Sequence, residues 1–247
     1  MSTASTDALS PLDGRYARKL SEVAGIFSEA GLMRERVRVE CAWFLALAGG
    51  PAAKPLSGLP KAARDLLESL AGNPAATDVA AIKQIEARTN HDVKAVEYWL
   101  RGELQRRGAA AADLEWMHFA CTSEDINNLS YALMLKSARA TLLSPMLKSL
   151  GELLDALAVR HADVGMLART HGQTATPTTI GKELANFAAR LESQRAGLER
   201  VAILGKMNGA VGNFNAHTVA LPQVDWLGFS ASFVASLGLQ SNRYTTQ

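Results

Sequence analysis

The 247-residue sequence has few cysteines, no long apolar run and no concentration of charge of one sign. Its two cysteines, Cys41 and Cys121, are far apart and lie in apolar patterns, as is typical of a reduced, cytoplasmic protein rather than a disulfide scaffold. Because no run of about 18 apolar residues is present, no membrane-spanning helix is predicted. Lys and Arg number 26 against 24 Asp and Glu, a balance that argues against a broad surface for nucleic acid or an anionic membrane.

Motifs for common cofactors are absent too. The sequence has no glycine-rich dinucleotide or phosphate loop, no Cys-x-x-Cys and no His-Glu-x-x-His, so no cofactor and no metal is predicted. Hydrophobic residues make up 48% of the sequence and charged residues 20%, which is typical of a folded protein with a sizeable core.

Apolar side chains recur at helical spacing along most of the chain, and strand patterns are almost absent. One amphipathic helix is predicted over residues 26–47, with Glu40 as its polar break. A second is predicted over 79–104, interrupted near 89–92, where four residues favour caps and turns. The sequence therefore predicts an all-α fold.

Two long helices are predicted in the second half, one over 125–161 and one after Pro177. Their apolar residues repeat about every 3.5 positions, as in the seams of helical bundles. A kink is expected at Ser144-Pro145, since proline removes a helical donor. The chain offers few partners for these seams, which predicts a bundle completed by other subunits or by a missing segment.

Two polar clusters lie in the first hundred residues. Arg15 and Tyr16 follow a turn-forming tripeptide, where they either clamp a phosphate or pack on the surface of an N-terminal arm. Asn90-His91-Asp92 falls at the helix break. It forms either a functional site or an N-cap made by Asn90 or Asp92. Its His-Asp pair also allows the metal site of HD-type phosphohydrolases.

Two further clusters precede the long helices. Thr122 and Ser123 open the first one, where Thr122 caps the helix with Asp125 three residues later, and where exposed amides and hydroxyls also suit a ligand. His171 lies in a polar, glycine-flanked loop before Thr176 and Pro177, which are predicted to start the next helix. Capping does not require this histidine, and histidine titrates near neutral pH, so the sequence favours a functional role.

Seven segments, in this order, resemble adenylosuccinate lyase, a family of the fumarase/aspartase superfamily of fumarate-releasing lyases. They are SPLDGRY (10–16), IFSEAGLMRERVRVE (26–40), RTNHDVKAVEY (88–98), HFACTSEDINNLSYALMLK (118–136), RTHGQTATPTTIGKE (169–183), LGKMNGAVGNFNAH (204–217) and YTTQ (244–247). The resemblance implies an N-terminal helical domain over 1–112 and part of the central helical bundle over 113–247.

The resemblance also implies a reaction and its residues. The family eliminates fumarate from adenylosuccinate, giving AMP, and from the succinyl-aminoimidazole-carboxamide ribotide of purine biosynthesis, without a cofactor. Arg15 and Tyr16 would bind the phosphate region and His171 would be the catalytic acid. Substrate contacts are implied for six further residues: Asn90, His91, Asp92, Thr122, Ser123 and Gln247.

The sequence departs from the family pattern at one point. The loop that carries the general-base serine lies beyond Gln247, so the chain resembles the first half of the enzyme and is expected to be inactive by itself. The full-length form is expected to be a homotetramer with small-molecule substrates and no nucleic-acid or membrane partner. The alternative interpretation is a non-catalytic, truncated helical assembly protein.

Overall fold

A computed structural model describes residues 8–247, and helices account for most of them. The helices are α1 Ser21–Phe27, α2 Glu29–Ala48, α3 Lys61–Gly72, α4 Val79–Thr89, α5 Asp92–Arg106, α6 Ala111–Leu114, α7 Ser123–Ala138, α8 Ser144–Arg160, α9 Ile180–Arg200, α10 Asn215–Ala220 and α11 Trp226–Ser236. The strands are β1 Gly165–Thr170, β2 Gln173–Thr179, β3 Leu204–Gly205 and β4 Gln240–Ser241. In the part of the chain that is described, no helix is both long and apolar enough to cross a membrane.

The described residues form two compact units. The first contains the chain up to Lys136 together with Ile203–Gln247, and the second contains Ser137–Ala202. This division falls at other positions than the domain boundary implied at 112/113, which stays a prediction.

Helix α2 provides much of the core of the first unit. The side chains of Met33, Val37, Phe44 and Leu47, which belong to the predicted apolar stripe, are buried. The helix begins three residues later than predicted because Ser28 is extended and its hydroxyl accepts a hydrogen bond from the Gly31 amide at 3.1 Å. This N-cap ends α1 and starts α2.

The interruption predicted near 89–92 is confirmed, but its caps differ from the prediction. Asn90 ends α4 in the left-handed region, with a φ of 51°. The N-cap of α5 is His91, whose Nδ1 accepts a hydrogen bond from the Lys94 amide at 3.2 Å. The predicted N-cap by Asn90 or Asp92 is therefore wrong, since Asp92 is already the first helical residue.

Helical residues run from Ser123 to Arg160 with an irregular turn near the predicted kink. Arg139–Leu143 form a π-helical segment that ends immediately before Ser144 and Pro145. Proline lacks the amide that would bond to the carbonyl of Thr141 four residues earlier, and its ring crowds that turn. A widened π turn accommodates both effects.

The second unit contains a hairpin that the sequence patterns did not indicate. Strands β1 and β2 pair in antiparallel orientation, with Thr170 opposite Gln173 and Leu167 opposite Pro177. Thr176 and Pro177 thus lie in β2, and their predicted role as helix start is wrong. The N-cap of α9 is Thr179, whose hydroxyl accepts a hydrogen bond from the Lys182 amide at 3.1 Å.

Helices α8 and α9 pack closely within this second unit. The Gly181 amide donates to the His161 carbonyl at 2.9 Å, and a side chain at Gly181 would collide with the backbone of Ala158 and Ala162. Much of the apolar surface of the two helices remains exposed within the single chain, as in Met146, Leu150, Leu153, Val159 and Phe187.

Candidate active site

The Asn90-His91-Asp92 cluster is joined to helix α7 by one buried arginine. Arg36 of α2 donates from Nη2 to Oδ2 of Asp92 at 2.6 Å and from Nε to Oδ1 of Asn127 at 2.8 Å. Its side chain is 6% exposed, whereas that of Asp92 is 46% exposed. Burial opposes ionisation of Asp92, but the Val93 amide and the Arg36 guanidinium outweigh it, and the pKa of this carboxyl is lowered.

A second buried charge lies one turn further along α2. Oε1 of Glu40 is 2.5 Å from Nδ1 of His118, and the glutamate side chain is fully buried. Burial lowers the pKa of His118, but the Glu40 carboxylate raises it by more, so that the pKa lies above its ordinary value. His118 has a positive φ of 59° and stands in the loop that leads to Thr122.

The start of helix α7 is fixed by Asp125. Its Oδ2 accepts a hydrogen bond from the Thr122 amide at 2.8 Å, which is the backbone half of a capping box. Of the predicted capping box, the part supplied by Asp125 is therefore confirmed, whereas the cap by the Thr122 hydroxyl stays a prediction. The same carboxylate contacts the loop over 206–209, where Lys206 places its ammonium 2.9 Å from Oδ1.

Gln247 lies in the last segment of the chain, beside the start of α7. It lines a cleft of about 250 Å³ together with Glu124, Asn128, Lys206 and Thr245. The structure thus brings Gln247 near the helix that begins with Ser123, although more than a hundred residues separate them in sequence.

Arg15 and Tyr16 lie in turns before α1, and both are exposed. The Arg15 guanidinium carbon is 5.5 Å from the centre of the Tyr16 ring. The Tyr16 amide donates to the Pro11 carbonyl at 2.9 Å, which confirms the predicted turn. Among residues 8–247, no hydrogen bond or ion pair joins these two side chains to the 90–92 cluster.

His171 belongs to the second unit, where it occupies the tip of the β1–β2 hairpin. His171 and Gly172 connect the strands with positive φ values of 51° and 75°. Two central residues with positive φ are the requirement of a type I′ turn. The turn leaves the imidazole exposed, so the polar loop predicted here is a hairpin turn that presents the side chain to solvent.

No group of three or more His, Cys, Asp or Glu that could hold a metal ion occurs among the described residues. His91 and Asp92 are adjacent, with 3.7 Å between Nδ1 and Oδ1, but they have no further ligand of this kind within that part of the chain. The HD-type interpretation therefore finds no ligand set there.

A protein-family model described as "Lyase" matches residues 14–247. The chain belongs to this lyase family. It is 51% identical over 247 residues to the adenylosuccinate lyase of Escherichia coli (strain K12) and 47% identical over 247 residues to that of Legionella pneumophila (strain Corby). Each match covers 100% of this chain and 54% of the relative. The chain thus spans about half the length of these relatives.

A solved structure of the same architecture supports the fold of this lyase chain. The fumarate lyase from Mesorhizobium sp. BNC1 superposes with a TM-score of 0.70 at 22% identity, covering 92% of this chain and 49% of that one. The predicted helical fold is therefore confirmed, although the β1–β2 hairpin was not predicted.

Several polar residues that organise this part of the lyase chain were not predicted as functional. Glu40 was predicted only as a polar break in its helix, and Arg36 was not singled out, yet both are buried in α2. Their signal is the conflict between a charged side chain and a buried helix position. Lys206 and Asn208 carried no such signal, because they lie in a loop whose burial depends on α7.

Proposed function

We propose that this chain acts in an adenylosuccinate lyase. The reaction is the β-elimination of fumarate from adenylosuccinate, which leaves AMP, and from the succinyl-aminoimidazole-carboxamide ribotide. The observation that carries the proposal is the 51% identity over the whole chain to a relative named adenylosuccinate lyase. The alternative of a non-catalytic assembly protein has no comparable support.

The geometry of the first unit supports one substrate surface. Within the 90–92 cluster, Asp92 is tied through Arg36 to α7, whose first turn follows Thr122. The segment that ends in Gln247 lies at the same helix. As the resemblance implies, we assign phosphate contacts to the exposed side chains of Arg15 and Tyr16. We assign substrate contacts to six further residues: Asn90, His91, Asp92, Thr122, Ser123 and Gln247.

His171 is the proposed general acid. Elimination breaks a C–N bond, so the leaving amine needs a proton as the bond breaks, and an imidazole supplies one near neutral pH. The proton beside the carboxylate must go to a base, and the developing negative charge needs fixed hydrogen-bond donors. The resemblance places that base, a serine, outside these 247 residues. This chemistry requires neither a metal nor a cofactor.

A homotetramer is the proposed assembly of the lyase. The exposed apolar side chains of α8 and α9 support it, because uncovered apolar stripes of this size favour association. Phe187 is 59% exposed and Leu153 is 57% exposed. Sedimentation of the lyase is expected to give four copies, and a monomer at micromolar concentration would contradict the assembly. The cytoplasmic location stays a prediction from the cysteine content.

The decisive experiment measures fumarate release from both substrates. The 247-residue chain is assayed alone and after mixing with the part of the Escherichia coli relative that it does not match. We expect release only in the mixture, because acid and base act as one unit. A mixture containing His171→Asn is the control.

Two outcomes would contradict parts of this proposal. A mixed complex that forms but releases no fumarate would favour the non-catalytic alternative. Robust release by the chain alone would show that another of its residues acts as the base.

A further inference from the structure

A buried ion pair links the start of α7 to the loop over 206–209. The side chains of Asp125 and Lys206 are 0% and 5% exposed, and Nζ lies 2.9 Å from Oδ1. The Asp125 carboxylate also accepts hydrogen bonds from three amides, those of Thr122 at 2.8 Å, Asn208 at 2.9 Å and Gly209 at 3.2 Å. One carboxylate thus holds the helix start and the 206–209 loop together.

The same loop holds the last segment of the chain. The Asn208 side-chain amide donates to the hydroxyl of Thr245 at 2.8 Å. Gly212 lies so close that an added Cβ would be 2.7 Å from the Thr245 carbonyl oxygen. Gln247 follows two residues later and lines the cleft beside α7. The position of Gln247 therefore depends on a loop that the ion pair anchors.

A buried ion pair is not needed for stability as such, since apolar residues of similar volume are often as good or better. It does impose a fixed geometry, because each oxygen accepts a small number of directed bonds. Here one directed bond ends at the amide of Thr122, which is assigned to the substrate. The others end at the amides of Asn208 and Gly209, in the loop that holds Thr245. Small displacements of substrate-binding residues are costly in catalysis.

We propose that Asp125 and Lys206 are a positioning pair that holds Thr122–Ser123 and the 242–247 segment as one substrate-binding wall. The inference rests on the proposed function for the substrate roles of Ser123 and Gln247. It assigns to the pair no contact with the substrate itself. Its effect passes through the Thr122 amide on one side and through Asn208 and Thr245 on the other.

Hydrogen–deuterium exchange of the 247-residue chain tests the coupling without any assay of activity. Asp125→Asn is expected to speed exchange at 122–123 and at 242–247 by about ten-fold or more, because both segments lose their anchor. Since an unpaired buried Lys206 threatens folding, the double variant Asp125→Asn/Lys206→Met removes both charges and serves as the second test. Unchanged exchange at 242–247 in a folded variant would overturn the inference.

Asp113→Asn is the matched control. Asp113 is also a buried acid at the third position of a helix, and its Oδ2 accepts a hydrogen bond from the Ala110 amide at 3.0 Å. It lies in α6 and has none of the contacts to the 206–209 loop. Faster exchange at 242–247 in this variant as well would mean that loosening is general, which would overturn the specific role of Asp125.

A second experiment tests the effect on substrate binding through Thr245, whose contact with Asn208 does not involve the buried charges. In the active lyase, Thr245→Val removes the acceptor for Asn208 and is expected to raise KM about ten-fold with a smaller change in kcat. Thr245→Ser keeps the hydroxyl and should restore KM. An unchanged KM in Thr245→Val would overturn the positioning role.

Failure of the proposed function looks different. In that case the wild-type mixture releases no fumarate, while the exchange pattern of the variants stays as expected.

Discussion

Nη2 of Arg36 lies 2.6 Å from Oδ2 of Asp92, although 56 positions separate the two residues in sequence. Because Nε of the same guanidinium donates to Asn127, the fork joins the first turn of α5 to α7. Arginine suits this role, since its planar donors are held at a fixed angle. The contact therefore holds the 90–92 cluster next to α7, the helix that begins with Ser123. Residues 90–92 and 122–123 are both assigned to the substrate.

Replacing Arg36 by Met should raise the pKa of Asp92 toward its ordinary value, because the nearby positive charge is lost. A lowered carboxyl pKa stabilises the fold above about pH 4 and loses that effect as the pH falls through the folded-state pKa. We expect the free energy of unfolding of Arg36→Met to be about 1 kcal/mol lower than that of the wild type at pH 7. The decrease is small because Asp92 is half exposed to solvent.

NMR titration of the Asp92 carboxyl and urea unfolding at several pH values check this prediction. Lys61→Met is the control, because Lys61 pairs with Asp65 at the surface. An Asp92 pKa that does not change in Arg36→Met would contradict the assignment of the shift to Arg36.

Glu40→Gln should lower the pKa of His118, because burial then acts without the opposing carboxylate. A raised histidine pKa stabilises the fold below about pH 6.5 and loses this effect as the pH rises through the folded-state value. The free energy of unfolding of the variant should therefore fall by about 1–3 kcal/mol at pH 6 and by less at pH 9. Urea unfolding across this range measures the difference. An equal loss at both pH values would show that the pair acts by packing and not by charge.

His171→Asn should lower turnover of the active lyase by roughly two to four orders of magnitude, because the proton donor is lost. The fold should be preserved, since Asn-Gly is a favoured type I′ pair and the side chain is exposed. Turnover and thermal unfolding measure the two effects.

Gly172→Ala is the complementary variant. It keeps the imidazole but places a Cβ at a φ of 75°, a strain of about 1 kcal/mol or more. We expect lower activity because His171 is displaced. Wild-type turnover in His171→Asn would refute its role as the acid.

Arg15→Ala should raise KM by about ten-fold or more with little change in kcat, if the guanidinium contributes binding that is equal in the ground and transition states. AMP affinity of the wild type should also weaken as salt increases, since phosphate attraction is screened. Lys19→Ala, another exposed basic residue of the same short segment, is the control. An unchanged KM in Arg15→Ala would place this residue outside the site.

The helices of the first unit could be predicted from the sequence because their signals are local. Apolar residues at steps of three and four required α2 to bury Met33, Val37 and Phe44. Residues that favour caps and turns marked the break between α4 and α5. The cap itself went to His91 rather than Asn90 or Asp92, because the extended backbone of His91 directs its ring to the Lys94 amide.

The β1–β2 hairpin is not predicted from the sequence because its signal is short and equally fits a helix start. Threonines alternate along 174–179, and His171-Gly172 is a two-residue connection, which together are compatible with a hairpin. Thr176-Pro177 equally fits an N-cap followed by the first helical residue. Residues 174–179 form a strand and not a helix start because they pair with residues 165–170. The residues of β2 alone do not predict this pairing.

The sequence by itself determined the helical class, the lyase family and the segments that carry polar chemistry. The tertiary structure decided which of those segments share a surface. Arg36 reaches Asn127 across 91 positions, and Asp125 reaches the Asn208 amide across 83. Helical periodicity describes only neighbours within a few turns, whereas these long-range bonds depend on which helices and loops pack against one another.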